Sequence, residues 1–144
     1  DINSSNYVLD VKKLEKYLDS KPGKQVSGFI VVDFAGYPAD MESFRKLAHK
    51  HDLWIIEDAC HAPGGYFTDS RGVKQKCGNG NFADLSVFSF HPVKHITTGE
   101  GGMITTNRKD LYEKLLSLRS HGITKDPGKM KENHGGCVFV PLRK

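Results

Sequence analysis

Lys94 and Asp58 are the residues best placed to do chemistry: an amine and a carboxylate, each just past an apolar strand. Lys94 lies in an irregular run, residues 91–102, after a strand predicted over residues 85–90. Asp58 follows a strand predicted over residues 53–56. With those strands as neighbours, acid and amine face each other across one crevice. That pairing suits a pyridine-aldehyde cofactor. The amine forms an imine with the aldehyde, and the carboxylate keeps the ring nitrogen protonated. The protonated ring then accepts the electrons of a broken Cα–H bond. Alone the pair is a weak signal, since a loop Lys is usually a solvated surface residue and a strand-end Asp is usually a cap.

The elements that must position this pair read as alternating strands and helices. Asp10 caps a short helix with Val11, Leu14, Tyr17 and Leu18 on one face, stopped by Lys21, Pro22 and Gly23. Residues 26–34 are apolar and β-branched and predict a buried strand. Gly36, Tyr37 and Pro38 turn the chain, and Asp40 caps a helix with Met41, Phe44, Leu47 and Ala48 inward. The buried strand at 53–56 completes a strand–helix–strand unit, the usual route to parallel pairing with a right-handed crossover. Residues 64–81, rich in Gly, Lys and Asn, read as a long surface loop. After strand 85–90 come a tight turn at 99–102, a short strand at 103–106 and a helix at about 108–120. That helix turns Leu111, Leu115 and Leu118 inward and has Gly122 as its C′ residue. No element is predicted from residue 124 onward. The fold class is α/β, a mostly parallel sheet flanked by helices, in which ligands bind off the carboxyl ends of the strands.

Composition narrows the function classes. A chain of 144 residues fits one domain. The net charge of +4 is modest and its basic residues are interspersed with acids. No basic stripe points to nucleic acid, while an anionic ligand stays compatible. No apolar run reaches the length of a membrane span. Cys60, Cys77 and Cys137 form no CxxC pair, which predicts a reducing, cytoplasmic setting and no disulfide framework. His49 and His51 are two apart on a helix, and Cys60, His61 and Cys77 lack zinc spacing, so no metal site is expected. The glycines at 99–102 lack GxGxxG spacing and open no helix, which excludes a dinucleotide cradle.

The setting of the acid and the amine carries a resemblance. Ser89-Phe90-His91-Pro92-Val93-Lys94-His95-Ile96-Thr97-Thr98-Gly99-Glu100-Gly101-Gly102 resembles the lysine signature of the DegT/DnrJ/EryC1/StrS aminotransferases. Ile56-Glu57-Asp58-Ala59-Cys60-His61-Ala62 resembles the aspartate motif of the same family. Asp33-Phe34-Ala35-Gly36 and Ser120-His121-Gly122 also stand where that family has similar residues. The likeness runs over about residues 7–122, and its wording is nearest the branch that aminates UDP-4-keto-6-deoxy-N-acetylhexosamines toward pseudaminic acid.

The resemblance implies a pyridoxal 5′-phosphate (PLP) enzyme of fold type I, like aspartate aminotransferase, that moves an amino group from an amino acid such as glutamate to a 4-keto nucleotide sugar. It implies that Lys94 is the imine-forming lysine and proton shuttle, and that Asp58 is the partner of the pyridinium nitrogen. It also implies that His61 lies near the phenolic oxygen and that Ser89 is a phosphate ligand. Without the resemblance, Ser89 and His61 read as a strand-end hydroxyl and a loop histidine satisfied by their surroundings. Members of the family are longer and work as homodimers. Residues 1–144 are therefore expected to be the central part of the PLP-binding large domain, without the N-terminal phosphate-binding segment and the C-terminal small domain. The competing expectation is a truncated, non-catalytic relative that serves as a binding or assembly piece. Related sugar dehydratases carry His in place of the lysine, so Lys94 argues against that chemistry.

Overall fold

The computed structural model describes residues 1–124, 126, 128 and 138–139. The chain divides into two compact units, Asp1–Asn107 and Arg108–Lys144.

In the first unit, Asp10 caps α1 (Val11–Leu18) by accepting the N–H of Lys13 at 3.0 Å. Leu18 is buried and Val11 and Leu14 pack against the core, but Tyr17, expected on the same face, is exposed. β1 (Gly28–Val32) follows. A 3₁₀ turn, Phe34–Gly36, then bends the chain, with Ala35 and Gly36 both at positive φ. Asp40 caps α2 (Met41–His51) through the N–H of Ser43. Met41, Phe44, Leu47 and Ala48 are all buried, as the 3.6-residue spacing predicts. Burying each of the three large side chains contributes at most roughly 1.5–3 kcal/mol. Met41, Phe44 and Ala48 close a core with Phe29, Val31 and Ile55 of the sheet.

β2 (Trp54–Asp58) extends two residues past the predicted strand, so Asp58 is its last residue. The expected surface loop at 64–81 is instead built around an antiparallel hairpin, β3 (Tyr66–Thr68) with β4 (Lys74–Lys76). Asp69, Gln75 and Cys77 of this region are buried. β5 (Leu85–Ser89) and β6 (Gly102–Thr105) complete the main sheet, whose order is β1-β2-β5-β6. β1, β2 and β5 are parallel and β6 is antiparallel to β5. The strands at 26–34 and 53–56 were expected to be buried on both faces. One face is open instead: Ile30 is 53% and Val32 37% exposed, while their neighbours Phe29 and Val31 are buried.

The second unit holds α3 (Lys109–Arg119) and a two-residue antiparallel pair, β7 (Ile123–Thr124) with β8 (Val138–Phe139). No element was expected in 124–144. Nor does α3 bury the leucines predicted to turn inward; Leu111 and Leu115 are half-buried and Leu118 is 44% exposed. The cap after α3 is shifted by one residue from expectation. His121 is the C′ residue at φ 56°, and Gly122 follows it. The N–H of Gly122 bonds Ser117 O at 2.8 Å and that of His121 bonds Leu118 O at 3.0 Å, the two bonds of a Schellman motif. Cys137 lies outside the described residues.

Candidate active site

Strand pairing assigns the faces. Val32, Asp58, Val87 and Ile104 are cross-strand partners and form one row on the open face. Val31, Glu57, Ser86 and Thr105 form a row on the opposite, covered face. Ser89 is two residues past Val87, so it shares the face of Asp58 at the carboxyl end of β5.

Asp58 is half-buried, and its Oδ1 accepts the N–H of Cys60 at 3.1 Å, which bends the chain out of β2. Ser89 Oγ accepts the N–H of His91 at 3.4 Å, leaving its own hydroxyl proton to donate elsewhere. The loop that carries Lys94 is closed at its base by two bonds. Phe90 N–H donates to Gly101 O at 2.8 Å, and Thr98 N–H donates to Phe90 O at 3.1 Å. Within the loop Lys94 N–H bonds His91 O at 2.9 Å, and the Lys94 side chain is half-buried.

The thiol of Cys60 connects the acid to the amine. It is pushed up to about 11 by burial first, then by the hydrogen bond and charge of Asp58, while the ammonium of Lys94 pulls it back down. His61, three residues past Asp58, packs on the turn after β1. Its ring meets Phe34 edge-on at 6.3 Å, and its carbonyl lies 2.9 Å from where a Cβ on Gly36 would stand. Among the described residues it makes no hydrogen bond to Asp58, Ser89 or Lys94. A cavity of about 740 Å³ lies elsewhere, between the N-terminal segment, the start of α2 and β3, and is lined by none of these four residues.

Behind Asp58 the structure assembles a cluster that sequence reasoning missed. Asp33, Glu57 and Cys77 are buried together, with potential ligand atoms all within 4.8 Å of one another. Asp33 Oδ1 accepts the N–H of Ala39 at 2.8 Å, and Glu57 Oε2 accepts the hydroxyl of Ser86 at 2.7 Å. Burial pushes both carboxyls up, that of Glu57 to about 7. The available signal was an acid, Glu57, one residue before Asp58 in an apolar strand, which period-two alternation turns to the opposite face.

A family model for the DegT/DnrJ/EryC1/StrS aminotransferases matches residues 1–139. A UDP-4-amino-4,6-dideoxy-N-acetyl-beta-L-altrosamine transaminase of Campylobacter jejuni is 45% identical over 117 residues, 81% of this chain and 29% of that protein. A GDP-perosamine synthase of Caulobacter vibrioides is 37% identical over 129 residues, 90% of this chain and 31% of that protein. The structure of Helicobacter pylori PseC, an aminotransferase involved in the biosynthesis of pseudoaminic acid, superposes with a TM-score of 0.74 at 34% identity, covering 97% of this chain and 33% of that one. The chain thus spans about a third of the length of the relatives it matches. With its mostly parallel sheet and both motifs at the sheet's carboxyl end, the chain belongs to the DegT/DnrJ/EryC1/StrS aminotransferase family.

Proposed function

We propose that this chain carries the PLP-binding centre of an aminotransferase that moves an amino group from glutamate to the 4-keto carbon of a 6-deoxy nucleotide sugar. The supporting observation is that Asp58 closes β2 and that Ser89 and the Lys94 loop end and follow its paired neighbour β5, at the carboxyl end of the open face. An amine, a carboxylate and a donating hydroxyl near one end of an open sheet face fit PLP. When bound, the cofactor supplies an electron sink for a broken Cα–H bond.

The protein's own residues divide the remaining work. Lys94 holds the cofactor and, once released, carries a proton at Nζ between carbon atoms of the substrate complex. Asp58 keeps the pyridine nitrogen protonated. Ser89 donates its hydroxyl to the phosphate. His61 is assigned to the phenolic oxygen. The substrate partners are a nucleotide sugar and an amino-acid donor. A homodimer, as in the longer members, is the assembly this reading requires.

Incubating the chain with PLP, reducing with borohydride and mapping the pyridoxyl tag by peptide mass spectrometry tests the reading. The tag is expected on Lys94 and absent from a Lys94→Ala variant. A tag distributed evenly over surface lysines overturns it. That result would favour the second reading, a binding or assembly piece without catalysis, for which the exposure of Ile30 and Val32 on the site face speaks.

A further inference from the structure

The covered side of the sheet, behind Asp58, holds two buried acids. Asp33 is fully buried and Glu57 nearly so. Among the described residues, no Lys, Arg or His forms an ion pair with either. Asp33 Oδ1 is satisfied by Ala39 N–H, but Oδ2 is buried without a hydrogen-bond partner. A buried carboxylate oxygen left in that state is costly, and such atoms normally have a partner. The Glu57 carboxyl bears on it as a side-chain hydrogen-bond partner once a proton is present. The remaining contacts are already neutral donors: the Cys77 S–H toward Asp33, which bears on it more than Glu57 does, Ser86 Oγ–H to Glu57, and a backbone bond from Gly78 to Glu57.

We propose that Asp33 and Glu57 share a single proton, and that this neutral pair is a positioning device holding Asp58 and the His61 loop on the opposite face. The backbone makes the connection. Asp33 N–H donates to Asp58 O at 3.0 Å, and Asp33 opens the turn whose Phe34 and Gly36 abut His61. Glu57 precedes Asp58 in β2, so moving one carboxyl moves the peptide that bears the other.

A metal ion is the alternative occupant, and the donors speak against it. Burial first, then the charge of Asp33, raises the Cys77 thiol far above its ordinary range, which keeps it an S–H. Glu57 Oε2 is already engaged by Ser86. Two like acids that cannot both ionise when buried are satisfied by one proton between them.

The sign of the pH dependence follows. The ordinary value for Glu57 is 4.5 and its folded value is about 7. The native state therefore binds the extra proton between those values. The stability this contributes is complete below pH 4.5 and is lost as pH rises through about 7. The other groups bearing on the pair are Cys77, from the segment after β4, and Asp58, whose charge raises Asp33. Both are common to wild type and variants.

The test is urea unfolding of the whole chain from pH 4.5 to pH 8, comparing wild type with Glu57→Gln and Asp33→Asn. Either amide supplies the missing donor without a titrating proton. The wild-type unfolding constant should carry an extra rise approaching tenfold per pH unit in this window, and both variants should lack it. If Glu57→Gln fails to fold, Asp33→Asn decides alone. Retention of the wild-type slope in the folded variants overturns the shared proton. So does stoichiometric zinc in the purified chain that is lost on Cys77→Ser. The positioning role is read at Cys60: Glu57→Ala should shift the pH midpoint of its alkylation, and Glu57→Gln should restore it. An unmoved midpoint in Glu57→Ala overturns that part. The inference rests on the proposed function only for the role given to Asp58 and His61. None of its measurements uses PLP, so failure of one reading leaves the other standing.

Discussion

Cys60 reports on its neighbours without any cofactor. Its thiol is pushed up to about 11, with Asp58 raising it and Lys94 lowering it. Only the thiolate is alkylated, so the rate against pH gives the thiol's midpoint. Asp58→Asn removes a negative charge beside the sulfur and should move the midpoint down. Lys94→Ala removes a positive one and should move it up. Iodoacetamide labelling followed by peptide mapping separates Cys60 from buried Cys77 and from Cys137. Midpoints that stay put in both variants would mean the amine and the acid do not meet at this sulfur. At this scale the sequence points to Asp58, Lys94 and Ser89 because motifs surround them. It was silent on Asp33, Glu57 and Cys77 as a cluster. Their meeting depends on a segment after β4 folding back under the sheet, and no local spacing announces that.

Among the elements, helices and parallel strands were legible because each has a strong local pattern. Asp10 and Asp40 cap where predicted, and the four inward residues of α2 are buried. The β3–β4 hairpin was not legible. Its strands are three residues each, and Lys74–Lys76 reads as polar loop. What holds it is one buried side chain. Asp69 accepts the N–H of Arg71 at 3.0 Å, the N–H of Val73 at 2.9 Å and Gln75 Nε2 at 2.9 Å, and it pairs with the guanidinium of Arg71 at 2.9 Å. Those donors, the Val73 N–H foremost, hold its carboxyl well below the usual carboxylate range. A depressed folded value means the bonds contribute fully above pH 3.8 and are lost as pH falls further. Asp69→Ala should therefore lower the melting temperature at pH 7 and strip amide-exchange protection from Val73. Wild type and variant should converge toward pH 2. A gap that stays constant down to that pH would show that packing, rather than the carboxylate's bonds, closes the hairpin.

Across the first unit, the question is what an uncovered sheet face means. Sheets with parallel strands are ordinarily buried on both faces, and the sequence reads that way: apolar runs with little alternation. In the structure one face packs on α2 while Ile30 and Val32 of β1, Trp54 of β2 and Ile104 of β6 are exposed. The apolar run was therefore legible, but whether both faces find a cover is a property of the whole assembly and not of any strand. The relatives are about three times longer than this chain. A contiguous apolar patch on a free chain should bind hydrophobic dye and promote self-association. The double substitution Ile30→Thr and Val32→Thr keeps β-branching while removing apolar surface. It should reduce dye fluorescence and retention-volume broadening yet leave stability within about 1 kcal/mol, since exposed side chains contribute little. Phe44→Ala, in the closed core on the other side of the sheet, should cost about 3–5 kcal/mol. If the double variant instead loses as much stability as Phe44→Ala, the face is covered in solution, and the site at its carboxyl end is roofed by this chain's own copies rather than open to ligand.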